Sequence, residues 1–85
     1  MPQFTYTITC PQGLHGRPAM GLAEAAGALS SAVTIWKGDR SARADRLMAL
    51  MTLGVSQGDS VTVTVEGGDE AASLQALEAY FKENL

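Results

Sequence analysis

The stretch QFTYTIT, residues 3–9, alternates three apolar side chains with three threonines. A period of two is typical of a β-strand with one buried face and one solvated face. The alternation returns in residues 60–65, where valines alternate with serine and threonine, and more weakly in residues 33–36. A short fourth strand is predicted over residues 41–44, after a turn at residues 37–39. Because the polar positions carry threonine rather than more valine or isoleucine, we expect an antiparallel sheet that is covered on one side only.

Three other segments predict helices. The first begins at Pro18, which suits a first helical turn, and the second is LMALMTL, residues 47–53, which stops at the C-cap candidate Gly54. The third follows the N-cap candidate Asp69. The apolar stripes of the first and third helices are Ala19, Leu22, Ala23, Ala26 and Leu29, and Leu74, Leu77, Phe81 and Leu85. The resulting order, βαββαβα, predicts an α+β fold: a two-layer open-faced sandwich with a four-stranded antiparallel sheet and three helices on one face.

Length and composition restrict the possible classes of protein. With 85 residues and no internal repeat, the chain is expected to form a single domain over residues 1–85, too small for a deep enzyme cleft. The net charge of −3 disfavours binding to nucleic acid. No apolar run approaches the roughly 20 residues that cross a bilayer, and the N-terminus lacks a leader pattern, so we expect a cytoplasmic protein without membrane insertion. Cys10 is the only cysteine, which excludes an internal disulfide and a CxxC metal site.

The segment GLHGRPA, residues 13–19, carries the chemistry, since His15 is the only histidine and directly precedes a predicted helix. An imidazole nitrogen is a nucleophile that can accept a phosphoryl group. The amides of a helix N-terminus favour an incoming anion, Gly16 allows it to approach the backbone, and Arg17 adds a fixed positive charge. On these residues alone, a histidine beside glycine and proline is more often an ordinary loop residue.

The chain resembles a known family along nearly its whole length. GLHGRPA (13–19), SARADRLMALMTLGVSQGD (41–59) and VTVTVEGGDE (61–70) are similar to HPr, the histidine phosphocarrier of the bacterial sugar phosphotransferase system. The resemblance implies that His15 is phosphorylated on Nδ1 by Enzyme I, at the expense of phosphoenolpyruvate, and passes the group to an Enzyme IIA. Arg17 would stabilise the phosphate, and the backbone of Gly16 and Arg17 would bind it. The protein would be a monomeric carrier rather than a turnover enzyme, with no cofactor and no metal.

The second helix acquires a role from the same comparison. With Leu50 and Leu53 facing the core, we expect three neighbours on this helix to be exposed beside the site and to be joined by one methionine of the first helix. These candidate docking residues are Met20, Leu47, Met48 and Met51. Methionine adapts to different partner surfaces, which suits a carrier that meets several proteins. For Met48, simple filling of the core is an equal alternative.

The chain departs from the family at several positions. Arg46 occupies the position of the regulatory serine of many Gram-positive relatives, so phosphorylation by their kinase is not expected, and the nearby Ser41 lies in a predicted strand. Gly16 replaces the common Ala, Ser or Thr, which loosens the helix start. The family's lysines around the site are absent, and the corresponding surfaces carry Glu24, Gly27 and Asp45 beside the retained Arg17, Arg43 and Arg46. We therefore expect the electrostatic steering of partner proteins to be weaker or differently directed.

Three alternatives concern the role. The carrier could serve sugar uptake, a nitrogen-related relay or a dihydroxyacetone-kinase relay, and the sequence does not distinguish them. A regulatory protein-binding module of the same fold, without phosphorylation, is disfavoured because His15 and Arg17 are both present. A metal-dependent or acid–base enzyme would need further converging ligands or carboxylates, which the sequence does not supply.

Overall fold

A computed structural model describes residues 2–85 and confirms the order βαββαβα. The strands are β1 (Gln3–Thr7), β2 (Ala32–Lys37), β3 (Arg40–Arg43) and β4 (Ser60–Glu66), and the helices are α1 (Arg17–Gly27), α2 (Leu47–Leu53) and α3 (Glu70–Asn84). The strands form one antiparallel sheet in the order β1-β4-β2-β3. In the described part of the chain, no helix is both long and apolar enough to span a bilayer. The predicted fold class, an open-faced sandwich, is confirmed.

The core lies between one face of the sheet and the helices. Val63 of β4 pairs with Phe4 on one side and with Ile35 on the other, so these three side chains share the buried face. Phe81 of α3 lies against β1, with its ring centroid 5.4 Å from those of Phe4 and Tyr6 in edge-to-face contacts. Edge-to-face pairs stabilise beyond the area they bury, which fixes α3 over the edge strand.

The opposite face of the sheet carries the threonines, as predicted, with one exception. Thr64 is buried, because Trp36 of the neighbouring strand lies over it and donates a hydrogen bond from Nε1 to Thr64 Oγ1 at 3.1 Å. Trp36 itself stays 40% exposed. A position with the pattern of a solvated residue is therefore covered by a large side chain on the same face.

The first strand is shorter than predicted. We expected β1 to continue to residue 9, but it ends at Thr7, the last residue paired with β4. The next three amides find other acceptors: Ile8 N–H donates to Asp59 O at 2.9 Å, and Thr9 and Cys10 N–H donate to Leu85 O at 2.6 and 3.0 Å. The alternation of side chains continues past the strand because Ile8 is still buried.

Two other element boundaries differ from the prediction. The third strand occupies Arg40–Arg43 rather than residues 41–44, because Gly38 and Asp39 alone form the turn and Lys37 pairs with Arg40. Gly38 has a φ of 62°, a conformation that favours glycine. Helix α1 begins at Arg17, one residue early.

Helix α1 also ends earlier than its apolar stripe indicated. The helix stops at Gly27, since Leu29 N–H bonds to Ala26 O three residues back, and Leu29 packs on the core from the following loop. The bounds of α2 and the N-cap Asp69, whose Oδ1 accepts Ala72 N–H at 3.1 Å, are confirmed.

A clamp holds the loop between α2 and β4. Lys37 Nζ donates to Gly54 O at 2.7 Å and lies 3.0 Å from Asp59 Oδ2, which also accepts Ser56 N–H at 2.9 Å. The Ser56 amide, followed by the Lys37 ammonium, lowers the pKa of Asp59 below its usual value of 3.8. Ionised Asp59 thus stabilises the loop, and this loop carries the backbone on which the candidate site rests.

The contacts of Asp59 in this clamp predict that the stability of the fold depends on pH. A carboxylate whose pKa is lowered by folding stabilises the native state above its unfolded pKa, and that contribution disappears as the pH falls through the folded pKa. We therefore expect Asp59→Asn to lower the melting temperature at neutral pH, and the gap to the wild type to close below pH 3.8. Asp39→Asn, at an exposed turn position, is the control. A gap that persists unchanged down to pH 2 to 3 would show that ionisation of Asp59 is not the cause.

Candidate functional site

The backbone on either side of His15 is fixed, while its side chain is exposed. Leu14 is fully buried, and its N–H donates to Val55 O at 3.1 Å. Gly13 N–H donates a hydrogen bond to Cys10 O at 3.0 Å, which closes a turn. The preceding loop therefore rests on the α2–β4 loop and presents the imidazole to solvent.

Gly13 is required by this close approach. It has a φ of 62°, and a Cβ atom at this position would run into Val55 O and lie 2.9 Å from Ser56 Cα. Both contacts are with backbone atoms, which cannot move aside as a flexible side chain can. The glycine therefore sets how closely the His15 loop approaches residues 55–56.

The start of α1 leaves backbone amides without partners directly after His15. Gly16 is the N-cap residue, with φ 60° and ψ −133°, and provides no capping side chain. The first helical bond runs from Met20 N–H to Gly16 O at 3.0 Å, and Pro18 has no N–H to contribute. Helix geometry thus leaves the amides of Arg17 and Ala19 without a partner inside α1. Arg17 is exposed, so its amide is open to an anion, whereas Ala19 is fully buried and adds only to the positive potential of the helix start.

Arg17 brings the nearest fixed positive charge in sequence. Its side chain is exposed, and across residues 2–85 the ion pairs within 4.0 Å are Lys37–Asp59 and Arg43–Asp45, so Arg17 enters none. A guanidinium without an internal carboxylate partner is available to an incoming phosphate.

The four candidate docking residues lie on α1 and α2 and are all at least partly exposed; we name them the α1–α2 patch (Met20, Leu47, Met48, Met51). Met48 is 72% exposed and Met20 49%, while the other two are half-buried. The expectation that Met48 could fill the core is wrong, because Leu50 and Leu53 occupy that face of α2. Helices α1 and α2 contact each other, so the patch spans neighbouring elements.

The charged residues beside the patch are partly neutralised. Arg43 Nη2 lies 3.0 Å from Asp45 Oδ2, which offsets one of the retained arginines. Arg46 is exposed at the N-cap of α2, and Glu24 is exposed on α1. Ser41 lies in β3, as predicted. Within residues 2–85, no group of three His, Cys, Asp or Glu side chains converges to hold a metal ion.

Sequence reasoning missed one residue that touches the site. Tyr80 of α3 donates a hydrogen bond from its hydroxyl to Pro18 O, in the first turn of α1, at 2.9 Å. Two signals could have indicated it: Tyr80 lies off the apolar stripe of α3, and Gly21 interrupts a predicted helix, where glycine suggests a close approach.

Comparison with known proteins assigns this geometry to a family. A family model described as "PTS HPr component phosphorylation site" matches residues 2–83. The chain belongs to the HPr family. HPr proteins are phosphocarriers of the phosphotransferase system, and the general phosphotransfer role extends to this chain. HPr-C-His from Thermoanaerobacter tengcongensis is 34% identical, with a TM-score of 0.94, over 99% of this chain and 94% of that chain.

Two further relatives bear on assembly and length. An HPr dimer from Thermoanaerobacter tengcongensis is 35% identical, with a TM-score of 0.76, over 98% of this chain and 95% of that chain. The multiphosphoryl transfer protein of Xanthomonas campestris pv. campestris is 43% identical over 77 residues, which are 91% of this chain and 9% of that protein. The chain thus spans a small part of the length of this curated relative. HPr-like chains occur in more than one assembly.

Proposed function

We propose that the protein accepts a phosphoryl group on Nδ1 of His15 from phospho-Enzyme I and donates it to an Enzyme IIA-type acceptor. The observation that carries this proposal is the exposed His15 side chain directly before a helix start whose amides lack partners. Arg17 adds a charge with no internal carboxylate partner. Together these groups supply a nucleophile and a receptor for the phosphoryl oxygens at adjacent positions of the chain.

The proposed transfer is a direct exchange of the phosphoryl group between the two proteins. The lone pair on Nδ1 of the neutral imidazole attacks phosphorus, and the bond from phosphorus to the donor atom of Enzyme I breaks with its electron pair returning to that atom. The His15 ring keeps its proton on Nε2 and carries the phosphoryl group as a phosphoramidate. The Arg17 side chain and the amides of residues 16 and 17, which are both exposed, bind the equatorial oxygens, whose charge develops in the transition state.

The same groups keep the intermediate transferable. Each charge-assisted hydrogen bond to the phosphoryl group contributes about 1.5–3 kcal/mol, and all of them are made from the solvent-exposed side of the site. An acceptor that docks over His15 can therefore replace them with its own donors as the group leaves. The protein then returns to its initial state, as expected of a carrier rather than a turnover enzyme.

The α1–α2 patch is proposed as the docking surface for Enzyme I and the acceptor. We expect Met48→Ala to weaken binding to Enzyme I by about 2 kcal/mol, as typical for an interface anchor, and salt to have the smaller effect. Calorimetry across a titration of ionic strength measures both. Trp36→Phe, on the open face of the sheet, is the control. Affinity that collapses with salt but is unchanged in Met48→Ala would show that docking is electrostatic.

Regulation by serine phosphorylation is not part of the proposed role. Arg46 offers a guanidinium where the regulatory serine of relatives offers a hydroxyl, and Ser41 is in a strand. We therefore expect an ATP-dependent HPr kinase to leave the protein unmodified in an intact-mass assay. Stoichiometric acid-stable phosphate at any serine would contradict this expectation.

We also propose that residues 1–85 act as one domain and as a monomer, in the cytoplasm. A carrier must expose His15 and the α1–α2 patch to two partners in turn, and a free monomer does so without rearrangement. Sedimentation at micromolar concentration tests the monomer against the dimer known for an HPr from Thermoanaerobacter tengcongensis.

The function is tested by incubation with Enzyme I and phosphoenolpyruvate. We expect intact mass spectrometry to show one added phosphoryl group that is lost in acid and retained in alkali, as a phosphoramidate is. Omission of Enzyme I is the control. An unmodified protein would favour the non-phosphorylated binding module, and an acid-stable adduct would place the phosphate on a hydroxyl.

A further inference from the structure

Tyr80 links the C-terminal helix to the candidate site. Its hydroxyl donates to Pro18 O at 2.9 Å, and the side chain is half-buried beside Phe81, which is fully buried in the core. Pro18 is the second residue of α1, so the contact lies within the helical turn that follows His15. The hydroxyl therefore reaches the turn that would bind the phosphoryl group.

Gly21 makes room for this contact. A Cβ atom at residue 21 would run into the Tyr80 hydroxyl and lie 3.1 Å from the ring carbon Cζ. Glycine is unfavourable in a helix interior relative to alanine, because it loses more backbone entropy on folding. The helix thus carries an unfavourable residue at the one position where the tyrosine crosses it.

The acceptor of the hydrogen bond belongs to a peptide group that matters to the site. Pro18 C=O and Ala19 N–H are the two ends of one peptide, and Ala19 N–H is one of the unpaired amides at the start of α1. A hydrogen bond donated to a carbonyl polarises the peptide and strengthens its N–H as a donor. The Tyr80 hydroxyl therefore increases the positive potential at the start of α1. Because Ala19 is fully buried, this effect acts on His15 through the electrostatic field of the peptide and not through a contact with the phosphoryl group.

The hydroxyl stays a donor under the conditions of the reaction. Burial, then the negative charge of Glu24, and then Cys10 raise the pKa of Tyr80 above its ordinary value of 10.0. The neutral phenol therefore persists throughout the neutral and mildly alkaline range. The polarisation of the first turn is a constant feature of the folded protein.

We propose that Tyr80 is a positioning residue for phosphoryl transfer: through the Pro18–Ala19 peptide it holds and polarises the turn of α1 that stabilises the phosphoryl group on His15. The inference rests on the proposed function, since it concerns the lifetime of phosphorylated His15. It assigns to α3, which contributes no group to the reacting atoms, an effect on the stability of the intermediate.

The test compares Tyr80→Phe with Tyr6→Phe, because Tyr6 is also half-buried and packs on Phe81, but its hydroxyl has no hydrogen bond among residues 2–85. All proteins are phosphorylated with Enzyme I and phosphoenolpyruvate, freed of Enzyme I and followed by intact mass. We expect phosphorylated Tyr80→Phe to hydrolyse roughly 1.5- to fourfold faster than wild type, because polarisation through a peptide changes a charge-assisted interaction by only about 10–30%. Tyr6→Phe should hydrolyse at the wild-type rate.

A spectroscopic readout separates this effect from lost stability. The change in the Ala19 amide proton shift on phosphorylation, measured by NMR well below the melting temperature, should be smaller in Tyr80→Phe and unchanged in Tyr6→Phe. Gly21→Ala displaces the hydroxyl without removing it, so this variant should hydrolyse as fast as Tyr80→Phe, and the double variant no faster than either single one.

The outcomes distinguish this inference from the function on which it rests. A wild-type protein that takes up no phosphoryl group would overturn both. A wild-type protein that is phosphorylated, with Tyr80→Phe hydrolysing at the same rate and shifting Ala19 by the same amount, would overturn the positioning role alone. A lower melting temperature without either change would show that Tyr80 only stabilises the fold.

Discussion

Replacing His15 with alanine is expected to abolish phosphoryl uptake and to leave the fold intact. The side chain is exposed and makes no hydrogen bond among the described residues, so its removal costs little stability, at most about 0.5 kcal/mol as for other surface substitutions. His15 is the only histidine, so no second imidazole can take its place. Intact mass after incubation with Enzyme I and phosphoenolpyruvate measures the loss, and circular dichroism checks the fold. Phosphoryl uptake that survives in His15→Ala would place the reaction elsewhere.

Substitution of Arg17 tests how much its positive charge contributes to phosphoryl transfer at the same site. We expect Arg17→Ala to slow phosphorylation by roughly 10- to 100-fold, since one charge-assisted contact to the transferring group contributes about 1.5–3 kcal/mol. Arg46→Ala is the matched control, because Arg46 is also an exposed arginine at a helix start. If both variants lose the same activity, the effect is a general one of net charge.

Gly13→Ala should cause the largest loss of stability among single methyl additions near the site. The new Cβ would collide with the backbone of Val55 and Ser56, and the residue would also hold a φ of 62°. Overpacking costs about 1–3 kcal/mol and backbone strain about 1–3 kcal/mol, so the free energy of unfolding should fall by about 2–6 kcal/mol. Such a loss is a large fraction of the stability of a small domain.

Gly16→Ala separates the two contributions, because its φ is also positive, at 60°, while no atom lies within 4 Å of the added Cβ. We expect this variant to lose only the strain, about 1–3 kcal/mol or less where the exposed turn relaxes. Chemical denaturation measures both variants. Equal losses at the two positions would contradict the steric account of Gly13.

The sequence predicted those parts of the fold that local patterns determine. Alternating threonines and valines located the sheet, and the apolar stretch LMALMTL with Gly54 located α2 at its observed bounds. The family motif identified His15 and Arg17 as candidates, and the helix pattern placed the start of α1 within one residue. Each of these patterns can be recognised from residues that are close together in the sequence.

Features that depend on distant segments could not be predicted in the same way. The end of β1 is set by amides that bond to Leu85, more than 70 residues away, and the burial of Thr64 depends on Trp36 of another strand. Tyr80 reaches Pro18 across a separation of 62 residues. Periodicity within one segment carries no information on which residue of another segment will cover it.

The most direct measurement of the central claim follows one phosphoryl group through the protein. Protein labelled with ³²P by Enzyme I and phosphoenolpyruvate, then freed of both, is mixed with a purified Enzyme IIA-type acceptor. A carrier predicts that the label moves to the acceptor faster than it hydrolyses in acceptor-free buffer, and that His15→Ala delivers none. Label that stays on the protein until it hydrolyses, at the same rate with and without acceptor, would contradict the carrier function.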